Sequence, residues 1–214
     1  MPSASTSLPL PLFPLPDVVL FPGVFLPLHV FEPRYRAMVD DALQGDRMIG
    51  MTLLRPGFEE QYEGRPPIYA VGCAGVITHA ERLPDGRFHI VLQGVERFRV
   101  SREDDSRVYR LGIVERLGGD VPSPADTVTL RGLRDRIEQL VAPLIERAGG
   151  ELTVPPSMSD ADVIHALAQY LDLAPIEKQA LLERDTLVAR AAALSDLLEM
   201  KAMTGGTPAS SSRH

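Results

Sequence analysis

Prolines at positions 9, 11, 14, 16, 22, 27 and 33 punctuate the apolar stretch over residues 8–39. Each one fixes φ and removes a backbone donor, so no long helix fits before Pro33. Extended segments and edge strands tolerate them, because a missing N–H costs little there. The stretch therefore reads as extended chain, a loop around Asp17 and Pro22-Gly23, a strand over 24–30, and a helix opened by Pro33. An extended segment this apolar must be covered by the rest of the chain, which makes it the first layer of the core.

Further along, Tyr35, Met38, Val39 and Ala42 follow the spacing of a helix with one buried face, ended by Gly45. Residues 48–54 form a strand-length apolar run, and 55–67 a loop rich in glycine and proline. A strand over 68–81 carries Gly72 and Gly75, which mark a bulge or tight bend. Leu83-Pro84-Asp85-Gly86 is a turn, since Pro presets φ and Gly accepts the last position. Phe88, Ile90, Leu92, Phe98 and Val100 keep one parity, and 108–117 is a further strand. Small sheets with glycine bends close or half-close on themselves.

Composition changes at residues 118–124, GGDVPSP. Beyond it Leu130, Leu133, Ile137, Leu140, Val141, Leu144, Ile145 and Ala148 form one helical stripe, kinked at Pro143 and ended by Gly149-Gly150. Ser159 with Asp162 resembles a capping box before Val163, Ile164, Leu167, Tyr170 and Leu171. Pro175 opens a third helix, and Leu187, Ala191, Leu194 and Leu198 mark a fourth. The expected organisation is a disordered start over 1–7, a strand-rich domain over 8–118, a linker and helix entry over 119–128, a helical subdomain over 129–204, and a disordered tail over 205–214.

The 214 residues carry a net charge of −7, which disfavours a large phosphate-binding face and hence nucleic acid. A single cysteine, Cys73, excludes an internal disulfide and reads as a small core filler. No apolar run is long enough to span a membrane, and the N-terminus lacks the signal-peptide pattern, so a cytoplasmic protein is expected. Neither Lys178 nor Lys201 follows a glycine, so no GK[ST] phosphate loop is present, and there is no G-x-S-x-G elbow. The histidines 29, 79, 89, 165 and 214 show no zinc spacing; no metal or cofactor is expected. His79 and His89 flank one turn and read as a solvent-facing cross-strand pair. Arg97 and Arg99 read as a solvated rim, and Asp40 and Asp41 point too far apart on a helix to form a carboxylate pair.

Three stretches together resemble the N-terminal substrate-binding domain of Lon proteases. They are LPLFPLPDVVLFPGVFLPLHVFEPRYRAMV, VGCAGVITHAERLPDGRFHIVLQGVERFRV and APIEKQALLERD, and the resemblance covers roughly residues 8–200. It implies an α+β fold, a strand-rich PUA-like pseudo-barrel followed by a C-terminal helical bundle. It also implies a stand-alone, noncatalytic polypeptide-binding module without ATPase or peptidase parts, and it supplies no catalytic residue for this chain to match. Its partners would be unfolded or extended polypeptide segments and a protease or chaperone, with self-association left open. The candidate contacts are Phe21, Phe25, Phe31, Phe58 and Tyr62, although Phe25 and Phe31, taken singly, read as core. Binding needs an apolar groove or an available strand edge. The alternatives are an RNA-binding PUA-like protein, and a small-molecule-binding or hydrolytic protein with His79, His89 and an acidic residue around a barrel cleft.

Overall fold

The computed structural model describes residues 8–58, 64–118, 122–147, 149, 153–155 and 157–203. The ends expected to be disordered, 1–7 and 205–214, lie outside those residues. The chain forms two compact units, 1–118 and 119–214.

The first unit contains β1 (Leu8–Leu15), β2 (Phe25–Val30), α1 (Pro33–Gln44), β3 (Met48–Leu53), β4 (Val71–Arg82), β5 (Phe88–Asp104) and β6 (Arg110–Leu117). β1 runs parallel to β3 and antiparallel to β6, while β3–β4, β4–β5 and β5–β6 are antiparallel. Five strands thus close into a ring, β1-β3-β4-β5-β6, and β2 is appended outside it along the first part of β5.

β1 is not an edge strand, yet it holds its prolines. Residues 8–12 pair with β6 and residues 12–15 with β3, so each half has a single ladder. Pro9, Pro11 and Pro14 each have a side with no ladder for their missing N–H to serve.

Leu10, Leu12, Ala74, Phe98 and Val114 fill the ring, with Met48, Ile68 and Val100 partly buried against them. Gly72 makes room for this packing, because a Cβ there would lie 2.3 Å from the Met51 carbonyl oxygen and 2.6 Å from the Phe98 ring. The expected irregularity falls at Gly75, where the β4–β5 register shifts between Ala74 and Gly75. Cys73 is fully buried.

α1 buries Tyr35, Met38, Val39 and Ala42, as the spacing predicts, and the Tyr35 ring packs 4.5 Å from that of Phe13. Its two adjacent aspartates diverge. Asp40 accepts from Arg82 at 2.6 Å, and Asp41 from the Tyr109 hydroxyl at 2.8 Å and Arg107 at 3.2 Å. Burial, and then the hydrogen bond to Asp41, pushes the Tyr109 phenol up to about 12.

The solvated-rim reading of Arg97 is corrected. Arg97 is buried and donates to the Gly118 carbonyl at 2.6 Å, whereas Arg99 is exposed. Arg110 is also buried. It grips Glu103 through Nε and Nη2 at 2.8 and 2.6 Å and donates to the Pro66 carbonyl at 2.6 Å. That fork ties the end of the 64–67 segment to the β5–β6 pair.

The second unit holds α2 (Asp126–Arg147), α3 (Asp160–Tyr170), α4 (Pro175–Leu182) and α5 (Leu187–Met203). α2 continues through Pro143 to Arg147 as one helix, burying Leu130, Ile137 and Val141, while Leu144 is exposed. Ser159 caps α3 by accepting from the Asp162 amide at 3.1 Å. Tyr170, expected on the buried stripe, is the last residue of α3 and is 68% exposed.

Arg190 of α5 is fully buried. It donates to the carbonyls of Leu181 and Arg184 and to His165 Nε2, at 3.1, 3.1 and 2.7 Å. It thereby serves carbonyls at the C-terminal end of α4. A guanidinium can only donate, so His165 accepts at Nε2 and its role is structural.

Candidate functional site

β2 is docked by a close approach that only glycine allows. Pro22-Gly23 turns the chain, with Gly23 at φ 77°. The Gly23 amide donates to the Gly94 carbonyl at 2.8 Å, and the Gly94 amide to the Val24 carbonyl at 2.9 Å. A Cβ on residue 94 would sit 2.1 Å from the Phe21 carbonyl oxygen. Side chains longer than hydrogen would therefore hold the incoming strand off β5.

The register set at this point determines what β2 shows. Because Val24 bonds to Gly94, residues 26, 28 and 30 direct their backbone groups toward β5, and residues 25, 27 and 29 direct theirs away. Pro27 lies in the outward set and has no N–H. A polypeptide adding itself as a further strand would meet that missing donor, a common guard on exposed edges. The strand edge expected as one way to capture polypeptide is thus interrupted at Pro27, and the side chains are the other candidate contact.

Those side chains alternate. Leu26 and Leu28 are half-buried and Val30 is buried, while Phe25, Pro27 and His29 face outward. Phe31 continues the outward row past the strand end. Phe25 is 49% exposed and Phe31 58%.

The same sheet face carries three histidines. His29 lies opposite His89, their rings 4.9 Å apart at 69°, and the Phe31 ring is 5.9 Å from His29. His89 lies opposite Glu81 of β4, with Nδ1 3.8 Å from Oε2. Pro27, Leu28, His29, His79, His89, Ile90 and Val91 line a shallow, open hollow of about 380 Å³. The turn that joins β4 to β5 is fixed by Asp85, which accepts from the Arg87 amide at 3.0 Å and its Nε at 2.6 Å. That amide hydrogen bond holds the Asp85 carboxyl below the usual carboxylate range.

Of the expected contact residues, the structure brings Phe25 and Phe31 onto one face and separates the others. Phe21 is completely buried, so it is a core residue and not a surface contact: it precedes the turn and packs where the chain closes on Gly94. The reading of Phe25 and Phe31 as core is overturned by their outward parity. Phe58 follows Gly57 (φ 87°) and is half-buried. Tyr62 lies outside the described residues.

The His79–His89 cross-strand pair does not form. A register shift between Ile77 and His79 sets His79 opposite Val91 and Glu81 opposite His89. The partner that sequence reasoning missed is His29. Only the pairing of β2 with β5, which no local spacing encodes, brings it to His89. The small-molecule reading finds histidines and a carboxylate near one hollow, but the hollow does not enclose a ligand as such sites do.

Comparison with known proteins gives one consistent result. The family model described as the ATP-dependent protease La (LON) substrate-binding domain matches residues 9–200. The chain is 30% identical over 197 residues to a Lon protease of Trichlorobacter lovleyi, covering 88% of this chain and 23% of that protein. It is 30% identical over 202 residues to Lon protease 2 of Myxococcus xanthus, covering 90% and 24%. The chain thus spans about a quarter of the length of these curated relatives. Among solved structures, a Lon N-terminal domain protein from Xanthomonas campestris aligns with a TM-score of 0.58 at 27% identity, over 90% of this chain and 98% of that one. The N-terminal domain of a Mycobacterium avium complex Lon protease aligns at 0.66 and 14% identity with the same coverages, a likeness of fold alone.

Proposed function

This chain belongs to the family of the Lon substrate-binding domain, and on that premise we propose that it is a noncatalytic module holding apolar stretches of unfolded polypeptide against the outward face of β2. The observation that carries this reading is the exposure of Phe25 and Phe31 on one strand face. Two large aromatics at half exposure offer an apolar client a surface to cover, and aromatic anchors dominate the energetics of such contacts. Pro27 supports contact by side chains over strand addition. The absence of a phosphate loop and of a nucleophile elbow within these 214 residues fits a binding role for this region.

The test is fluorescence anisotropy with a labelled, permanently unfolded polypeptide, beside its folded form and an RNA oligonucleotide. Saturable binding to the unfolded chain alone is expected. The Phe25→Ser/Phe31→Ser double variant should weaken it at least about tenfold, the loss of two modest anchors. Equal affinity in the double variant, with unchanged circular dichroism, removes β2 as the contact face. Binding to RNA in place of polypeptide removes the reading altogether.

A further inference from the structure

We propose that the buried bond between His165 and Arg190 is an acid-released catch on the helical unit. The two side chains come from α3 and α5, His165 2% exposed and Arg190 completely buried. Each nitrogen of the guanidinium reaches a neutral acceptor: Nε the Leu181 carbonyl, Nη2 the Arg184 carbonyl and Nη1 the His165 ring at 2.7 Å. One side chain of α5 thus ties together α3 and the C-terminal end of α4. The proposal does not rest on polypeptide binding at β2, which belongs to the other unit.

The tie exists in one protonation state only. A guanidinium has donors and no acceptor, so His165 Nε2 must carry a free lone pair. A proton on that nitrogen turns it into a second donor and sets an imidazolium against a guanidinium in a buried site, where their repulsion is strong. The closed unit therefore excludes the proton, whereas the opened unit takes it at the ordinary histidine value near 6.5. The sign follows from the count of protons. Below about pH 6.5 the opened form binds more of them, so the catch is whole above that value and weakens as pH falls.

The charged groups on the surrounding elements titrate elsewhere. Arg134 of α2 holds Glu138 and Asp160 at 2.8 Å each. On α4, Lys178 donates to the Gln169 carbonyl at 2.6 Å and Glu183 accepts from Gln179 at 2.9 Å. Arg184 and Asp185 are exposed between α4 and α5. Carboxylates ordinarily titrate near 4 and lysines near 10. His165 is the only histidine over residues 119–213, so it is the group that answers to mild acid.

The experiment is amide hydrogen exchange of α3 and α4 in the full chain at pH 7.5 and 5.5, corrected for the intrinsic pH dependence of exchange. A group of ordinary value near 6.5 that is kept unprotonated in the closed state raises the opened fraction about tenfold at pH 5.5, and the corrected exchange should quicken by that factor. His165→Gln keeps an acceptor for Arg190 that never takes a proton, so its corrected exchange should differ by less than about twofold between the two pH values. Unchanged corrected exchange in the unaltered protein overturns the proposal, and so does a tenfold rise that persists in His165→Gln. Should that variant fail to fold by circular dichroism, nitrogen NMR of the unaltered protein decides. His165 Nε2 is expected to stay unprotonated in the folded chain down to pH 5.5, and an ordinary titration there near 6.5 overturns the proposal.

Discussion

Replacing Arg110 by alanine removes the buried fork that joins the 64–67 segment to the β5–β6 pair. Three hydrogen bonds of 2.6–2.8 Å are lost, two to Glu103 and one to the Pro66 carbonyl. The Arg110 side chain is 7% exposed and that of Glu103 27%. Breaking a fully buried pair costs about 3–5 kcal/mol, and an exposed pair about 0–1. Water can reach Glu103 once its partner is gone, which places the cost near the lower bound of the buried range, about 2–3 kcal/mol. For a unit of this size that is a melting-temperature drop of roughly 8–15 °C. Guanidinium unfolding followed by tyrosine fluorescence reports on the right unit, because four of the five tyrosines (35, 62, 69 and 109) lie within residues 1–118. The reasoning also requires that Arg110→Met/Glu103→Met cost less than Arg110→Ala alone, since no charge is then left without its partner. A cost below about 0.5 kcal/mol for Arg110→Ala, or a double variant worse than the single, would refute it.

Two further outcomes are expected. The Tyr109 phenol is raised to about 12 in the fold, chiefly by burial and then by its bond to Asp41. An ordinary tyrosine near 10 in the unfolded chain means that this contribution is whole below pH 10 and is lost as pH rises toward 12. Tyr109→Phe should therefore flatten the alkaline limb of the urea midpoint between those values; parallel curves for the two proteins would contradict the assignment. Gly72→Ala should destabilise by about 2 kcal/mol or more, since its Cβ meets backbone at 2.3 Å and the Phe98 ring at 2.6 Å. A soluble variant with an unchanged midpoint would show that the ring relaxes freely there.

Much of the fold was legible because local chemistry and global packing agreed. Pro33 and the Tyr35/Met38/Val39/Ala42 spacing specified α1, and Ser159 specified the start of α3. The parity of Phe88, Ile90 and Leu92 marked an inward face that the structure buries. What failed was whatever depended on distant partners. Arg97 looked like a rim residue because nothing nearby in sequence announces the Gly118 carbonyl to which it donates. Phe25 and Phe31 looked like core because an apolar strand does not declare which face its neighbours cover. The site was legible only as a set of aromatics, and of these Phe21 turned inward. The histidine row depended on a bulge at Thr78 and on the β2–β5 ladder, neither of which a single sequence encodes locally.

The ring closes through β1, β3, β4, β5 and β6, and β2 takes no part in that closure. Every barrel ladder survives if β2 peels away, so the strand and its outward side chains form a separable unit of local stability. Changes at positions 25, 27, 29 and 31 leave the filled interior untouched. A lineage could rewrite what this face presents, residue by residue, without refolding the scaffold beneath it. The exposed row and the closed ring are here carried on different strands.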